Sequence, residues 1–301
     1  LYLSGIALGN GGSFTQADID AGLITYDHDG TQNLSDGFTF SLADGGEDSA
    51  ASLTGQVFSI TVTNVNDAAA GLPTITGAAQ EDETLTADTS GISDADGLGA
   101  FSYQWLRDGA VIGGATASTY TLGDADVGTQ ISVRVDYVDG AGFAESLTSA
   151  QTAAVVNVND PPVLSIDPNP ILYLSGTMAV DPNLTVSDVD SATLQSAQVW
   201  FGDGYLRGQD RLLFTDQLGI TGSFNINTGI LTLTGNASVA DYQTALRSVQ
   251  YEDFNPTPAE GILYVNFSVS DGTDTSLVDT RVLEIVDNLP PRAGDNFGTV
   301  A

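Results

Sequence analysis

Ile131-Ser132-Val133-Arg134-Val135-Asp136-Tyr137-Val138 places an apolar side chain at every second position and then stops on Asp139-Gly140. A period of two marks a strand with one buried face, and Asp-Gly is a tight-turn dipeptide in which glycine takes a positive φ. The construction recurs twice: Phe38, Phe40 and Leu42 run into Asp44-Gly45, and Val265, Phe267 and Val269 run into Asp271-Gly272. Alternating runs also precede short polar segments. Phe58, Ile60 and Val62 lead to Asn64-Val65-Asn66-Asp67, and Val282, Leu283 and Ile285 lead to Val286-Asp287-Asn288-Leu289-Pro290-Pro291. The tetrad at 64–67 returns unchanged as Asn157-Val158-Asn159-Asp160, followed by Pro161-Pro162. Proline cannot continue a ladder, so these segments are linkers and the chain is a set of repeats.

Strand, Asp-Gly turn, strand and linker is how the last two strands of an immunoglobulin-like sandwich read. Linker spacing then gives the boundaries. Residues 1–67 end one module, 72–156 form a second, 161–287 a third, and 292–301 begin a fourth. The first shows about three strands where a sandwich of this kind needs about seven, so it is expected to be the C-terminal part of its repeat. Helix is expected as two single turns, at Thr15-x-x-Asp18 and Ser238-x-x-Asp241, each with the form of a capping box and each leading to a strand that ends in Tyr26 or Tyr251. With 34 glycines, 10 prolines and 42% hydrophobic residues, the composition suits an all-β chain with real cores. The expected fold is all-β: tandem Greek-key β-sandwiches that short linkers, two of them carrying prolines, set end to end as a rod.

The charge is lopsided. Thirty-nine acidic residues, 32 of them Asp, stand against seven Arg and no Lys, a formal net charge of -32. Such a surface repels nucleic acid and anionic membranes, which are bound through Lys and Arg. It attracts cations, and short Asp carboxylates on turns build oxygen cages for calcium. Cysteine is absent, which excludes disulfides and thiolate metal sites and leaves a bound ion as the available staple. No run approaches the roughly 20 apolar residues of a membrane span.

Catalysis has little to stand on. His28 is the single histidine, so a Ser-His-Asp arrangement has one possible centre and a Cys-His pair has none. Carboxylate pairs such as Asp27/Asp29 or Asp94/Asp96 could serve a glycosidase, but they recur from module to module, which catalysis does not require. Tyr103, Trp105 and Phe267 fall at strand spacing and are expected in the core, as is Trp200 beside Phe201-Gly202-Asp203-Gly204. The chain is not expected to be an enzyme.

Three resemblances add to this. Phe14-Thr15-Gln16-Ala17-Asp18-Ile19 through Tyr26-Asp27-His28-Asp29-Gly30 to Phe38-Thr39-Phe40 is similar to the second half of the repeat in chondroitin sulfate proteoglycan ectodomains, which would put His28 in a turn. Tyr103-Gln104-Trp105-Leu106-Arg107-Asp108-Gly109, with Ser118-Thr119-Tyr120 and Asp126-Val127-Gly128, resembles a bacterial Ig-like module with the tryptophan on its third strand. Asp181-Pro182, Leu184-Thr185-Val186-Ser187-Asp188-Val189-Asp190 and Gly229-Ile230-Leu231-Thr232-Leu233-Thr234-Gly235 resemble the cadherin-like repeats of very large adhesins. The linkers resemble the cadherin calcium-linker pattern Asp-x-Asn-Asp-Asn, with Asn64 and Asn157 in place of the first Asp, and Ala68 and Pro161 in place of the last Asn.

Register singles out the acidic pairs. Asp94 and Asp96 follow Asp67 by 27 and 29 residues, and Asp188 and Asp190 follow Asp160 by 28 and 30. In a seven-strand sandwich the loops after strands two and six share one end and the loop after strand five lies at the other. At the first linker this gathers Asp27 and Asp29 with Asn66, Asp67, Asp94, Asp96 and Asp139. At the second it gathers Asp124 and Asp126 with Asn159, Asp160, Asp188, Asp190 and Asp271. Glu252, Asp253, Asp287 and Asn288 would form half of a third site. Seven or more oxygens suit calcium, which takes 6 to 8, better than octahedral magnesium. Without a cation such sites are strained, since two carboxylates at about 4 Å repel by roughly 4 kcal/mol at an effective dielectric of 20. The competing assignment treats the same residues as metal-free turns.

The expected function is that of a calcium-stiffened extender segment of a large secreted or cell-surface adhesin, with neighbouring repeats of the same chain as its immediate partners. Its alternative is a polysaccharide- or cell-surface-binding module, which an exposed aromatic row would favour because sugars stack on such rings.

Overall fold

A computed structural model describes residues 1–45, 51–255 and 260–286. Asp287, Asn288 and the expected further repeat at 292–301 lie outside the described residues. The chain is all-β and divides into two compact units: Leu1–Ala78, Thr84–Tyr120 and Thr129–Ala153 make the first, and Ala79–Glu83, Thr121–Gly128 and Ala154–Ala301 the second.

In the first unit, the run that ends on Asp139-Gly140 is the strand Ile131–Val138, placed between Ser102–Arg107 and Ala144–Thr148 in an antiparallel sheet that Ala110–Val111 completes. Its alternation is met, with Ile131, Val133, Val135 and Tyr137 buried beside a fully buried Trp105. Trp105 stacks on Tyr120 and donates its indole N–H to the Ala117 carbonyl at 2.9 Å, which ties this sheet to the strand Thr119–Thr121 opposite. Burying that indole with its N–H bonded is what makes it a core residue.

Among the described residues of 1–62 there are five strands where the sequence reading expected about three: Tyr2–Leu3, Ile6–Ala7, Ile24–Thr25 and the pair Ser35–Leu42 with Leu53–Thr61. The helix Gln16–Asp20 has its expected capping box, Thr15 accepting from the Asp18 N–H and Asp18 from the Thr15 N–H. His28 lies in the following turn, where its Nδ1 accepts from the Gly30 N–H.

The second unit is built on a six-stranded sheet in the order Ile171–Tyr173, Asp279–Ile285, Gly261–Ser270, Thr193–Phe201, Ile230–Ser238, Thr221–Asn225, parallel at its first pairing and antiparallel elsewhere. A sheet of Thr177–Ala179, Gln250–Asp253 and Asp210–Leu213 and the pair Val163–Ser165 with Thr185–Ser187 complete the module. The core holds Leu194, Val199, Leu233, Tyr251 and Phe267. Two expectations are corrected here. The helix after Ser238 runs Val239–Arg247, nine residues rather than one turn, because Tyr242, Ala245 and Leu246 give it an apolar face to bury. Trp200 is half-buried and not core, since Val199 and Phe201 take the inward positions on its strand.

The Asp-Gly turns also differ in detail. Gly45 and Gly272 take positive φ as expected, but in the middle copy it is Gly142 that does so. Gly140 is required instead by close approach, because a Cβ there would meet the Asp96 carbonyl oxygen. That contact sets the Asp139 turn against the Asp94/Asp96 loop.

Candidate metal centre

The two Asn-Val-Asn-Asp tetrads are wired alike. Asn64 donates its amide to Asp96 at 2.8 Å and the Asp67 N–H bonds the same carboxylate at 2.7 Å. Asn157 and the Asp160 N–H bond Asp190 in the same way, at 2.7 and 3.3 Å. Within each pair the first Asp accepts the N–H of the second, Asp94 from Asp96 and Asp188 from Asp190. The turn Asp is locked by its own loop: Asp139 Oδ1 accepts from the Ala141 and Phe143 N–H groups, and Asp271 Oδ1 from those of Thr273 and Asp274. These loop bonds leave the second oxygen of each turn carboxylate for other partners.

At the second linker, backbone pairing brings in two further acids. Residue 80 bridges to 156 and residue 127 to 155, so the segments around Glu81 and Asp124 lie against the linker. Ligand oxygens of Glu81, Asp124 and Asp160 come within 4.8 Å of one another. Glu81 is 2% exposed; Oε2 accepts from the Val158 N–H at 3.0 Å, while Oε1 is buried with no partner. Asp126 is buried and caps the Gly123 N–H, a structural bond that holds the short helix carrying Asp124. Asn159 donates to both Asp271 and Asp274, at 2.9 and 2.8 Å.

The first linker gathers a different set. Asp94, Asp139 and Glu145 bring ligand oxygens within 4.8 Å of one another, and Asn66 donates to Glu145 at 2.8 Å. Asp139 is 5% exposed and its Oδ2 is buried without a partner. The hydroxyl of Tyr137 occupies Asp94 Oδ2 at 2.6 Å. Asp29 bonds Thr31 in its own loop, and Asp27 and Asp29 both bear on the Tyr26 hydroxyl, which bonds Asp36; neither is in the cluster. Asp253 caps the Asn255 N–H and Glu252 lies across from Thr177 and Arg211, so the described half of the expected third site gathers no cage. Its other half, Asp287 and Asn288, lies outside the described residues.

Electrostatics mark the second linker as strained. Burial pushes the Asp160 carboxyl above its usual range, and the neighbouring Asp124 and Asp190 charges push it further. Glu81 is held down most by the Val158 N–H, but burial and the carboxylates of Asp124 and Asp160 outweigh that bond and leave it raised. Burial likewise raises Asp188, whose Oδ2 has no partner. The Asn157 amide holds Asp190 low; burial pushes Asp271 up, but the Asp274 N–H, the Asn159 amide and the Thr273 N–H leave it lowered. Buried carboxylate oxygens with no donor, facing other carboxylates, are the arrangement a hard cation satisfies. The residues present therefore fit calcium.

The sequence reading missed Glu81, Glu145 and Asp274. The last was within reach, three residues after Asp271 in the same turn, whereas the glutamates had no motif to mark them.

Residues 2–62 match the sequence profile of the Cadherin-like family. Over 247 residues, 78% of its length, the chain is 28% identical to halomucin of Haloquadratum walsbyi, and it spans 3% of halomucin. Among solved structures, mouse cadherin-23 EC22-24 is similar at 13% identity, covering 67% of this chain and 58% of that one, with a TM-score of 0.25. Fibronectin(III)-like modules of Clostridium thermocellum CbhA are similar at 12% identity, covering 68% and 85%, with a TM-score of 0.20. The sandwich assignment rests on the chain's own sheets. With its cadherin-like stretch, the chain reads as a repeat region of a surface protein.

Proposed function

We infer that the chain is a calcium-stiffened extender segment of a large secreted or cell-surface adhesin and that its work is mechanical, not catalytic. The observation that carries this reading is the unpartnered Glu81 oxygen, buried against Asp124 and Asp160 beside a four-residue linker. A cation there ties a turn and a short helix of one module to Asp160 of the linker, whose backbone N–H already holds the next module's Asp190, and so restrains the linker's freedom. Modules that stay extended hold a distant binding domain away from the cell. Cation sites of extracellular modules work at about 0.1 to 1 mM calcium, the range such a segment would meet outside a cell. No helix among the described residues is long and apolar enough to cross a membrane.

Calorimetry of the 301-residue chain with EDTA and with millimolar calcium tests the reading, since an ion bound to the folded state raises its stability. A higher melting temperature and measurable binding heat are expected. Identical melting curves and no heat would mean that these acids are turns. Small-angle scattering in calcium is expected to show a rod, and a compact globule would defeat the extender role.

One observation favours a second reading, that of a carbohydrate-binding module. Phe14, Tyr26, Phe38, Phe40 and Phe58 line an open cleft of about 350 Å³, and Phe58, 52% exposed, stacks on Phe38 at 5.3 Å. A glycan array would support it by a hit that Phe58→Ala abolishes.

A further inference from the structure

We propose that Asp94, Asp139 and Glu145 form a cation site complete within one module, with Glu145 as a ligand, separate from the cage of Glu81, Asp124 and Asp160. The proposal rests on the calcium reading above and adds to it a ligand and a second, independent ion. All three side chains lie between residues 94 and 145 of one sandwich, Asp94 and Asp139 on loops that the Gly140 approach to Asp96 holds together and Glu145 on the neighbouring strand.

Each carboxylate is fixed by bonds that leave room for an ion. Asp139 gives Oδ1 to its own turn, and its Oδ2 is buried with nothing to bond. Asp94 gives Oδ1 to the Asp96 N–H and Oδ2 to the Tyr137 hydroxyl, so a lone pair on each oxygen remains for a metal. Glu145 enters from the strand Ala144–Thr148, directly opposite Tyr137 in the ladder, and so arrives on the strand and not on the turn. Asn66 is the linker group that reaches it, donating as a neutral amide and adding no charge. Arg134, two residues before Asp136 on the adjacent strand, is bonded to Asp136. Three carboxylates whose ligand oxygens lie within 4.8 Å of one another, one of them orphaned in the interior, call for a hard cation of the calcium class.

The Asp67 carboxylate is not needed in this arrangement: it accepts from the Gln32 amide, and only its backbone N–H bonds Asp96. The site should therefore survive loss of that charge.

Tyr137 supplies a local reporter, since terbium bound beside Asp94 would be excited through the adjoining phenol. Terbium titration of the full chain, excited at tyrosine wavelengths and displaced by calcium, reads this site. Glu145→Gln is expected to weaken the tyrosine-sensitised signal's affinity by about tenfold or more, a loss typical of disturbed metal sites. Asp67→Asn is expected to change it by less than about threefold, and Tyr137→Phe to abolish most of the signal. Melting in EDTA checks that each variant folds. An unchanged affinity in Glu145→Gln overturns the proposal while calorimetric calcium binding elsewhere stands. A tenfold loss in Asp67→Asn overturns the claim that the site is complete within the module. If the parent chain shows neither terbium signal nor calcium heat, the calcium reading itself falls.

Discussion

In the first linker Asn64 and the Asp67 N–H converge on Asp96, and in the second Asn157 and the Asp160 N–H converge on Asp190, yet different acids then close on each. The first is met by Glu145 and Asp139, the second by Glu81, Asp124 and Asp274. A phenol fills Asp94 Oδ2 at the first, and nothing fills Asp188 Oδ2 at the second, because the residue two before the turn Asp is Tyr137 in one module and Val269 in the other. The four-residue motif thus fixes how the linker grips the Asp-x-Asp loop. Segments far away in sequence decide which charges surround it.

Removing a charge from the second cage alone should break this symmetry most. Glu81→Gln is expected to cost about tenfold or more in calcium affinity at the second linker and to leave the tyrosine-sensitised terbium signal at the first unchanged. In EDTA the same variant should melt higher than the parent, because it removes a buried charge that faces Asp124 and Asp160. Titration calorimetry and melting in EDTA check both signs; a lower melting temperature in EDTA would mean that Glu81 already has a compensating partner.

The pH response comes next in size. Glu81, Asp160 and Asp188 have raised values in the folded chain, so their charged forms oppose folding at neutral pH, and that opposition is relieved as pH falls through the raised values toward the ordinary carboxylate range near about 4. Asp190 and Asp271 have lowered values, so the stability they contribute is present above about pH 4 and is lost as pH falls through their folded values. Metal-free protein should therefore gain melting temperature as pH falls from neutral toward the ordinary carboxylate range and lose it below about pH 4. Calcium, by holding the raised acids charged, should flatten the gain. A monotonic fall from pH 7 without metal would show that the raised acids carry little of the balance.

A smaller effect separates the two Asp-x-Asp loops. Tyr137→Phe removes a hydrogen bond to a carboxylate from a buried position and should destabilise by about 1.5 kcal/mol in EDTA, leaving the Asp94 loop in the condition of its counterpart beside Val269. Denaturant unfolding measures it, and no loss would mean that water replaces the phenol without cost.

These asymmetries mark where the sequence could be read and where it could not. Alternation before each Asp-Gly, the capping residues Thr15 and Ser238, and the spacing of Asp94/Asp96 and Asp188/Asp190 from their linkers are local patterns, set by backbone period and turn chemistry, and the structure forms those strands, caps and contacts. Glu81 reaches its cage from a turn that the bridge of residue 80 to residue 156 holds against the linker, and Glu145 from a ladder position opposite Tyr137, and such long-range pairing is not written in a short stretch. Trp200 misled for the same reason: a tryptophan, buried on average, reads as core until the strand's register shows which face it takes. Asp27 and Asp29 were placed by loop order alone, and Asp29 instead closes its own turn on Thr31.

The smallest prediction concerns what the linkers share. Asn64→Ala and Asn157→Ala each delete one amide-to-carboxylate bond, of 2.8 and 2.7 Å, made to the second Asp of the following pair. The first bond is half-buried and the second exposed, so neither is sealed from solvent; each deletion should cost about 1 kcal/mol without metal, and the two costs should agree within about 0.5 kcal/mol. Agreement is expected even though the surrounding charges differ, because a neutral amide donor answers to the one carboxylate it touches. Denaturant unfolding of the two variants in EDTA makes the comparison. A difference beyond about 1 kcal/mol would show that the flanking acids reach into the shared wiring, with the larger cost at the second linker if the amide there also offsets repulsion from the raised Asp160 and Glu81. Equal costs in EDTA that become unequal in calcium would locate the asymmetry in the ions and not in the tetrad.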